Sequence, residues 1–331
     1  MMRKIGVLTS GGDAPGMNAA VMSIARSAAA YGMPLIGIKH GYNGLLRKST
    51  SIKDDLQELY LDTVLDIADQ PGTYLRTARC EEFKDPKWRE IAVHTLKAME
   101  IDGLVVIGGD GSFQGAMRLC ELGIPCIGIP GTIDNDLAYT EMTLGYETAV
   151  QVCTEAIRAI RATSRSHDRP HVVECMGRHC GDIALKAACA TGSEIVVVPE
   201  VPWSVEEVAS RLNKQIAKGN YRSTIVLAEG CWESMAPFDM YGFLTSHGKQ
   251  CFEGEPMSAM RFASIMKRMC GMVEARSTVV GYTLAVRLLR DGISNQVIGV
   301  RQGKVFNMPI VDALKVEKHF RRDLYDLVNN L

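Results

Sequence analysis

The stretch Ile124-Pro125-Cys126-Ile127-Gly128-Ile129 runs directly into Pro130-Gly131-Thr132-Ile133-Asp134-Asn135-Asp136. The apolar run reads as a buried strand and the following seven residues as the turn at its end. Two carboxylates therefore stand two residues apart at the carboxyl edge expected of a parallel sheet, where open α/β sheets place their ligands. Such a pair can hold magnesium, or one carboxylate can hold metal while the other handles a proton. Asp-Asn-Asp also closes turns and caps helices. The stretch alone leaves both readings open.

Two other glycine-rich turns bear on the choice. Lys4 to Thr9 reads as a strand, Ser10-Gly11-Gly12-Asp13-Ala14-Pro15-Gly16 as the turn after it, and Met17 to Ala30 as a helix. Strand, glycine turn and helix present backbone N–H groups and a positive helix end to an anion. The spacing is neither the P-loop pattern nor G-x-G-x-x-G. Gly103 to Gly108 is a second strand, apolar throughout, as expected where both faces are covered. It opens into Gly109-Asp110-Gly111-Ser112, with a helix from Phe113 to Leu122. Three strand-end turns rich in Gly and Asp favour a nucleotide–magnesium site over three coincidences.

The chain has 331 residues, beyond the usual size of one core, and two domains are expected. Hydrophobic residues make up 47% and net charge is −1, so nothing points to nucleic acid or an anionic membrane as partner. Arginine clusters must supply any phosphate binding. The ten cysteines include no C-x-x-C pair and are expected as thiols in a reducing cytosol. The apolar stretch after Met1 is too short for a signal peptide, and no run approaches the ~20 apolar residues needed to cross a bilayer. The protein is expected to be cytoplasmic.

Between the turns, Pro34 to Lys39 reads as a strand, 46–70 as a surface excursion with short helices, and Pro71 to Cys80 as a loop carrying Arg76 and Arg79. Trp88 to Met99 reads as a helix. A long helix is expected from about Glu141 to Ala162, with Arg158, Arg161, Arg165 and Arg169 crowding its end, where cations suit the helix dipole. A second alternation follows: strands at 172–176, 195–198 and 223–228, with helices at 184–190 and 205–218. Adjacent His179 and Cys180 make a poor zinc geometry. Residues 231–256, rich in aromatics, read as an insertion or lid. Met257 to Met272 reads as a helix with a core-facing methionine stripe. Thr278–Val280 reads as a strand, Leu284–Arg290 as a helix, Val297–Val300 as the last strand and Lys315–Leu331 as a helical tail.

Taken together, Gly6 to Ala20, Val105 to Ser112, Pro130 to Asp136, Glu174 to Asp182 and Val196 to Glu200 resemble, in order and nearly in spacing, the ATP-dependent 6-phosphofructokinases of bacterial type. The resemblance implies an α/β fold of two Rossmann-like three-layer domains with the active site in the cleft between them. It places an ATP/Mg-binding domain at 1–144, with about 282–313 returning, and a sugar-phosphate domain at 145–281, with the tail 314–331. It implies phosphorylation of fructose 6-phosphate to fructose 1,6-bisphosphate in glycolysis, with ATP as co-substrate and Mg2+ as cofactor. Asp134 would be the base and Thr132 would position the acceptor. Asp110 and Asp136 would act on magnesium. Gly12, Arg79, Cys80 and the turn Gly109, Asp110, Gly111, Ser112 would hold ATP. Arg79 and Arg178 would face the transferring phosphoryl group. Met176, Gly177, Arg178 and Glu229 would line the sugar pocket, and Arg169 and Arg276 would reach a neighbouring subunit's sugar phosphate, implying a homo-oligomer, usually a tetramer.

Pyrophosphate-using relatives carry Asp in place of Gly111 and Lys in place of Gly131; glycine at both favours ATP. Two departures stand against the family pattern. Gly281 is normally followed by a His, then an Arg and a Gly-Gly-Ser-Pro turn that grip the sugar 6-phosphate; here Tyr282-Thr-Leu-Ala-Val286 follows. Losing such contacts costs ~1.5–3 kcal/mol for each charge-assisted bond. Arg26, Arg161, Glu194 and Lys218 match the nucleotide effector site, but Met22 and Asn220 stand where basic residues are usual. The alternatives are a kinase for another sugar phosphate or a nucleoside, and a nucleotide-binding regulatory paralogue.

Overall fold

The structure, a computed structural model, describes residues 4–46, 55–238, 257, 259–270 and 295–329. These fall into two units: 4–148 with 295–318, and 149–270 with 319–329.

In the first unit, β1 (Ile5–Ser10), α1 (Met17–Ala30) and β2 (Leu35–Ile38) form the opening crossover. After them come β3 (Leu56–Glu58), α2 (Leu61–Leu65) and α3 (Pro86–Ala98), the last capped by Asp85 with Pro86 in its first turn. Then β4 (Gly103–Gly108), α4 (Asp110–Glu121) and β5 (Cys126–Pro130) lead to the start of α5 (Tyr146–His167). The sheet has seven strands in the order β10-β9-β5-β4-β1-β2-β3, where β9 is Gln296–Arg301 and β10 is Lys304–Pro309. The inner pairings are parallel, and both edge strands are antiparallel. Every residue of β1, β4 and β5 is buried, which requires cover on both faces and explains their unbroken apolar runs.

The second unit holds most of α5, then β6 (His171–Cys175), α6 (Asp182–Thr191), β7 (Ile195–Val197), α7 (Val205–Ala217), β8 (Thr224–Ala228) and α8 (Ala259–Met269). Its sheet is parallel, in the order β6-β8-β7. In α8, Phe262, Ile265 and Met266 are buried among Trp203, Leu212 and Ile225, so the stripe faces the core as expected. Phe262 meets Trp203 edge-on at 5.5 Å between ring centroids, an arrangement that adds to the area buried.

Several boundaries differ from the sequence reading. α5 starts at Tyr146, not near Glu141, because residues 140–144 are bonded elsewhere. Glu141 N–H donates to the Val300 carbonyl, Leu144 N–H donates to the Pro130 carbonyl, and Gly145 has φ 112, which no helix accommodates. The strand at 297–300 is not the last. Gln302 and Gly303, at φ 51 and 69, make a two-residue turn into β10, the twist a tight hairpin needs. The tail is not one helix: α9 (Ile310–Ala313) and α10 (Arg322–Asn329) flank an irregular stretch. The excursion at 46–70 supplies edge strand β3 as well as a short helix. Arg276, the sequence after Gly281, the expected strand at 278–280, the helix at 284–290 and residues 239–256 of the expected insertion lie outside the described residues. Glu229–Ser234, at the start of that region, is one 3-10 turn whose Cys231 joins the core. Among the described residues no helix is long and apolar enough to cross a membrane, and the nine cysteines are free thiols.

Candidate active site

Burial alternates through the turn after β5. Gly131, Ile133, Asn135 and Leu137 face inward, while Thr132, Asp134 and Asp136 are half-buried on the other side. The turn is anchored at several points. Gly131 N–H donates to the Gly108 carbonyl at 2.9 Å, fastening it to the end of β4. Asp134 N–H donates to Thr132 Oγ1 at 3.2 Å. Thr143 Oγ1–H donates to the Thr132 carbonyl at 2.6 Å, and Thr143 N–H donates to Asn135 Oδ1 at 3.1 Å. Asn135 itself is left-handed, φ 52. From the far end of the chain, Lys318 Nζ donates to the Asn135 carbonyl.

The second turn lies against the first. A β-carbon on Gly109 would stand 3.8 Å from Thr132 Cβ, whereas one on Gly111 or Gly12 would meet nothing within 4 Å. Gly109 caps α4, so the supposed glycine loop is mostly the first turn of that helix, with N–H groups that have no acceptor within the helix. Asp110 is exposed there and accepts from Gln114 Nε2 at 2.7 Å. Ser112 turns inward: Oγ–H donates to the Ser10 carbonyl at 3.1 Å, and N–H donates to the Gly109 carbonyl at 3.0 Å. Its hydroxyl ties β1 to α4. The Ser112 carbonyl accepts from Tyr42 O–H at 2.5 Å, and burial pushes that phenol well above its ordinary pKa. Nothing in the local sequence marked Tyr42, which stacks on Phe83 and buttresses the helix start from below.

The third turn carries the arginine loop with it. Thr77 Oγ1–H donates to the Gly11 carbonyl at 2.9 Å, and Gly11 N–H donates to the Ala78 carbonyl at 3.4 Å. Thr9 Oγ1–H donates to the Arg76 carbonyl, Tyr74 N–H donates to Asn18 Oδ1, and Asn43 Nδ2–H donates to the Arg79 carbonyl. The backbone of 73–79 is thus fixed beside Gly11 and Gly12, with Arg76 and Arg79 exposed and Cys80 half-buried at the next turn. The first unit therefore gathers Gly12, Arg79, Cys80, Gly109, Asp110, Gly111, Thr132, Asp134 and Asp136 along one sheet edge. Hard carboxylate oxygens beside an open cradle at Gly12 and Gly111 fit magnesium carried with phosphate and water, which needs few protein ligands. No cluster of three or more His, Cys, Asp or Glu among the described residues would make an all-protein metal cage.

In the second unit, Met176, Gly177, Arg178 and Glu229 come together at the carboxyl edge of the smaller sheet. Gly177 and Arg178 N–H groups donate to Glu229 Oε2 at 3.3 and 3.0 Å. Met176, Arg178 and Glu229 are exposed. Beneath them, burial raises the pKa of Glu174, the Trp232 indole N–H at 3.3 Å opposes that shift, and Glu229 adds to it. A β-carbon on Gly230 would lie 2.1 Å from the Arg178 carbonyl, a backbone clash. Gly230→Ala should therefore displace Arg178, at a cost of about 1–3 kcal/mol in stability and more than tenfold in turnover; melting and rate assays read both.

Arg169 does not join this group. It follows α5 and precedes β6, whereas Met176 follows β6, a strand about 17 Å long. Arg161 pairs with Glu194 at 2.8 and 3.2 Å, and Asn220 Nδ2–H donates to the same carboxylate at 3.2 Å. These three line a cavity of about 280 Å³ with Arg165 and Arg222.

A mostly parallel sheet with glycine-capped helix starts and paired carboxylates along one edge is the arrangement in which open α/β proteins bind their ligands, phosphates among them. A sequence model of the phosphofructokinase family matches residues 4–286. The chain is 45% identical over 333 residues to an ATP-dependent 6-phosphofructokinase of Clostridioides difficile, covering 100% of this chain and 99% of that one. It superposes on phosphofructokinase from Saccharomyces cerevisiae at TM-score 0.76 and 29% identity, covering 95% of this chain and 45% of that one. The match to Pichia pastoris phosphofructokinase in the T-state has TM-score 0.79 and 28% identity, over 95% of this chain and 35% of that one. This chain spans less than half the length of those two yeast chains. It belongs to the phosphofructokinase family.

Proposed function

We propose that this protein transfers the terminal phosphoryl group of ATP to fructose 6-phosphate, giving fructose 1,6-bisphosphate in glycolysis. The carrying observation is the approach of Gly109 to Thr132, which puts a phosphate-receptive helix start against a turn bearing two carboxylates. Phosphoryl transfer needs alignment and charge stabilisation more than covalent help from the protein. Asp134 accepts the proton of the sugar hydroxyl while Thr132 orients it. Gly12, Cys80 and the first turn of α4 hold the nucleotide. Arg79 and Arg178 face the charge that spreads over the transferring group. Asp110 and Asp136 would hold magnesium, which when bound neutralises the phosphate oxygens. Met176, Gly177 and Glu229 line the sugar pocket.

Arg169 and Arg276 serve the sugar-phosphate site of a neighbouring copy, so the working form is a homo-oligomer, a tetramer. The cavity around Arg161 and Glu194 takes a nucleotide effector. Free thiols suit a cytoplasmic enzyme. The test is a panel of sugar phosphates and nucleosides with Mg-ATP and the purified protein. Fructose 6-phosphate should be consumed with equal release of ADP. Turnover of another acceptor alone would overturn the acceptor assignment, and nucleotide binding without transfer would make the chain a regulatory relative.

A further inference from the structure

We propose that Lys318 is a positioning residue for the transfer step: by donating to the Asn135 carbonyl, its ammonium holds the peptide between Asp134 and Asp136 in place. This rests on the phosphoryl-transfer reading above. Asn135 is the residue on which the turn pivots. Its backbone is left-handed, φ 52, a conformation that asparagine adopts more readily than most residues with a β-carbon because its side chain can hydrogen-bond locally. The Asn135 side chain is already committed, since Nδ2–H donates to the Glu141 carbonyl at 3.3 Å and Oδ1 accepts from Thr143 N–H. Those bonds fix the side of the turn that faces the 141–143 segment. Lys318 acts on a different group, the carbonyl of the peptide leading into Asp136.

Rotation of that peptide would swing the carbonyl one way and the Asp136 N–H the other, re-aiming the side chains on both sides. Transfer is intolerant of such a shift, because a displacement of about 1 Å in a reacting group can cost 10²-fold in rate. A lysine placed there also sets a positive charge beside a turn that carries two carboxylates. The lysine belongs to neither core cluster and is exposed, in the irregular stretch between α9 and α10. Its removal should therefore leave the fold intact, which makes the role measurable. Lys318 also closes the first unit: the next residue, His319, belongs to the second. In the sequence it looks like any solvated lysine of a charged tail, and only the folded chain brings it to Asn135.

The experiment compares the full chain with Lys318→Met, which keeps length and loses the donor, and Lys318→Arg, which keeps a donor. Lys318→Met should lower kcat by 10- to 100-fold, with the KM for ATP and for fructose 6-phosphate within threefold and the melting temperature nearly unchanged. Lys318→Arg should recover most of the loss. A wild-type kcat in Lys318→Met, a loss confined to KM or melting temperature, or no recovery in Lys318→Arg would overturn the proposal. Amide hydrogen exchange gives a readout independent of the acceptor. In Lys318→Met, exchange over residues 131–144 should quicken while β1 and β4 keep their protection. Unchanged exchange there would defeat the positioning role, whereas wild-type protein inactive on fructose 6-phosphate would defeat only the functional reading.

Discussion

Asp134→Asn is expected to bring fructose 6-phosphate phosphorylation down by at least 10²–10⁴-fold, the usual worth of a positioned general base, while nucleotide still binds. The substitution nearly preserves shape. The bond from Asp134 to Thr132 Oγ1 uses the backbone N–H, so the turn keeps that anchor with asparagine in place. The Thr143 bonds to Thr132 and Asn135 are untouched as well. What disappears is the carboxylate's negative charge and, with it, the capacity to take up a proton. Steady-state turnover beside calorimetric titration with a nucleotide separates the two effects. Residual activity above a tenth of wild type would remove Asp134 from the role of base.

Gly111→Asp is expected to cut kcat/KM for ATP by about 10²–10³-fold without unfolding the protein. A β-carbon at 111 meets nothing within 4 Å, so the fold has room for the side chain. A carboxylate in the first turn of α4 even suits the helix dipole, by roughly 0.3–1 kcal/mol. For an incoming phosphate it is the wrong charge in the right place. Two like charges ~4 Å apart at an effective dielectric constant of ~20 repel by ~4 kcal/mol, close to a thousandfold. The melting temperature should hold or rise slightly while ATP turnover collapses. Unchanged ATP kinetics would show that phosphate does not approach the start of α4.

Much of this site was legible because strand-end turns are local: an apolar run, a glycine and an aspartate announce themselves within ten residues. The buried strands β1, β4 and β5 were readable for the same reason, being covered on both faces. Residues that act from a distance were not. Tyr42 and Lys318 reach the site through contacts that span 70 and 183 positions of sequence, and no local pattern encodes them. The start of α5 was misplaced because Glu141 to Leu144 look helical by composition, yet their backbone groups bond to β5 and β9. β10 was missed although its signal, a residue followed by glycine between two apolar-rich runs, was present at Gln302-Gly303. Ser112 reads as part of a turn before the helix but lies in the first turn of α4, and its hydroxyl serves β1, a direction that sequence does not specify.

The order in which the chain is made adds a constraint on the sheet. β5 lies between β4 and β9, and its outer pairing joins Ile127 to Gln296 and Gly128 to Val297. During synthesis the strand that leads into Asp134 therefore emerges from the ribosome with one edge bare, and its neighbour on that side follows about 170 residues later. Exposed strand edges recruit other chains, and pairings this far apart in sequence form slowly. The nascent protein thus carries an unfinished, sticky sheet edge until β9 has been made, a state that chaperones are suited to protect. Truncations that stop short of β9 should accumulate as aggregates rather than as a folded nucleotide-binding half.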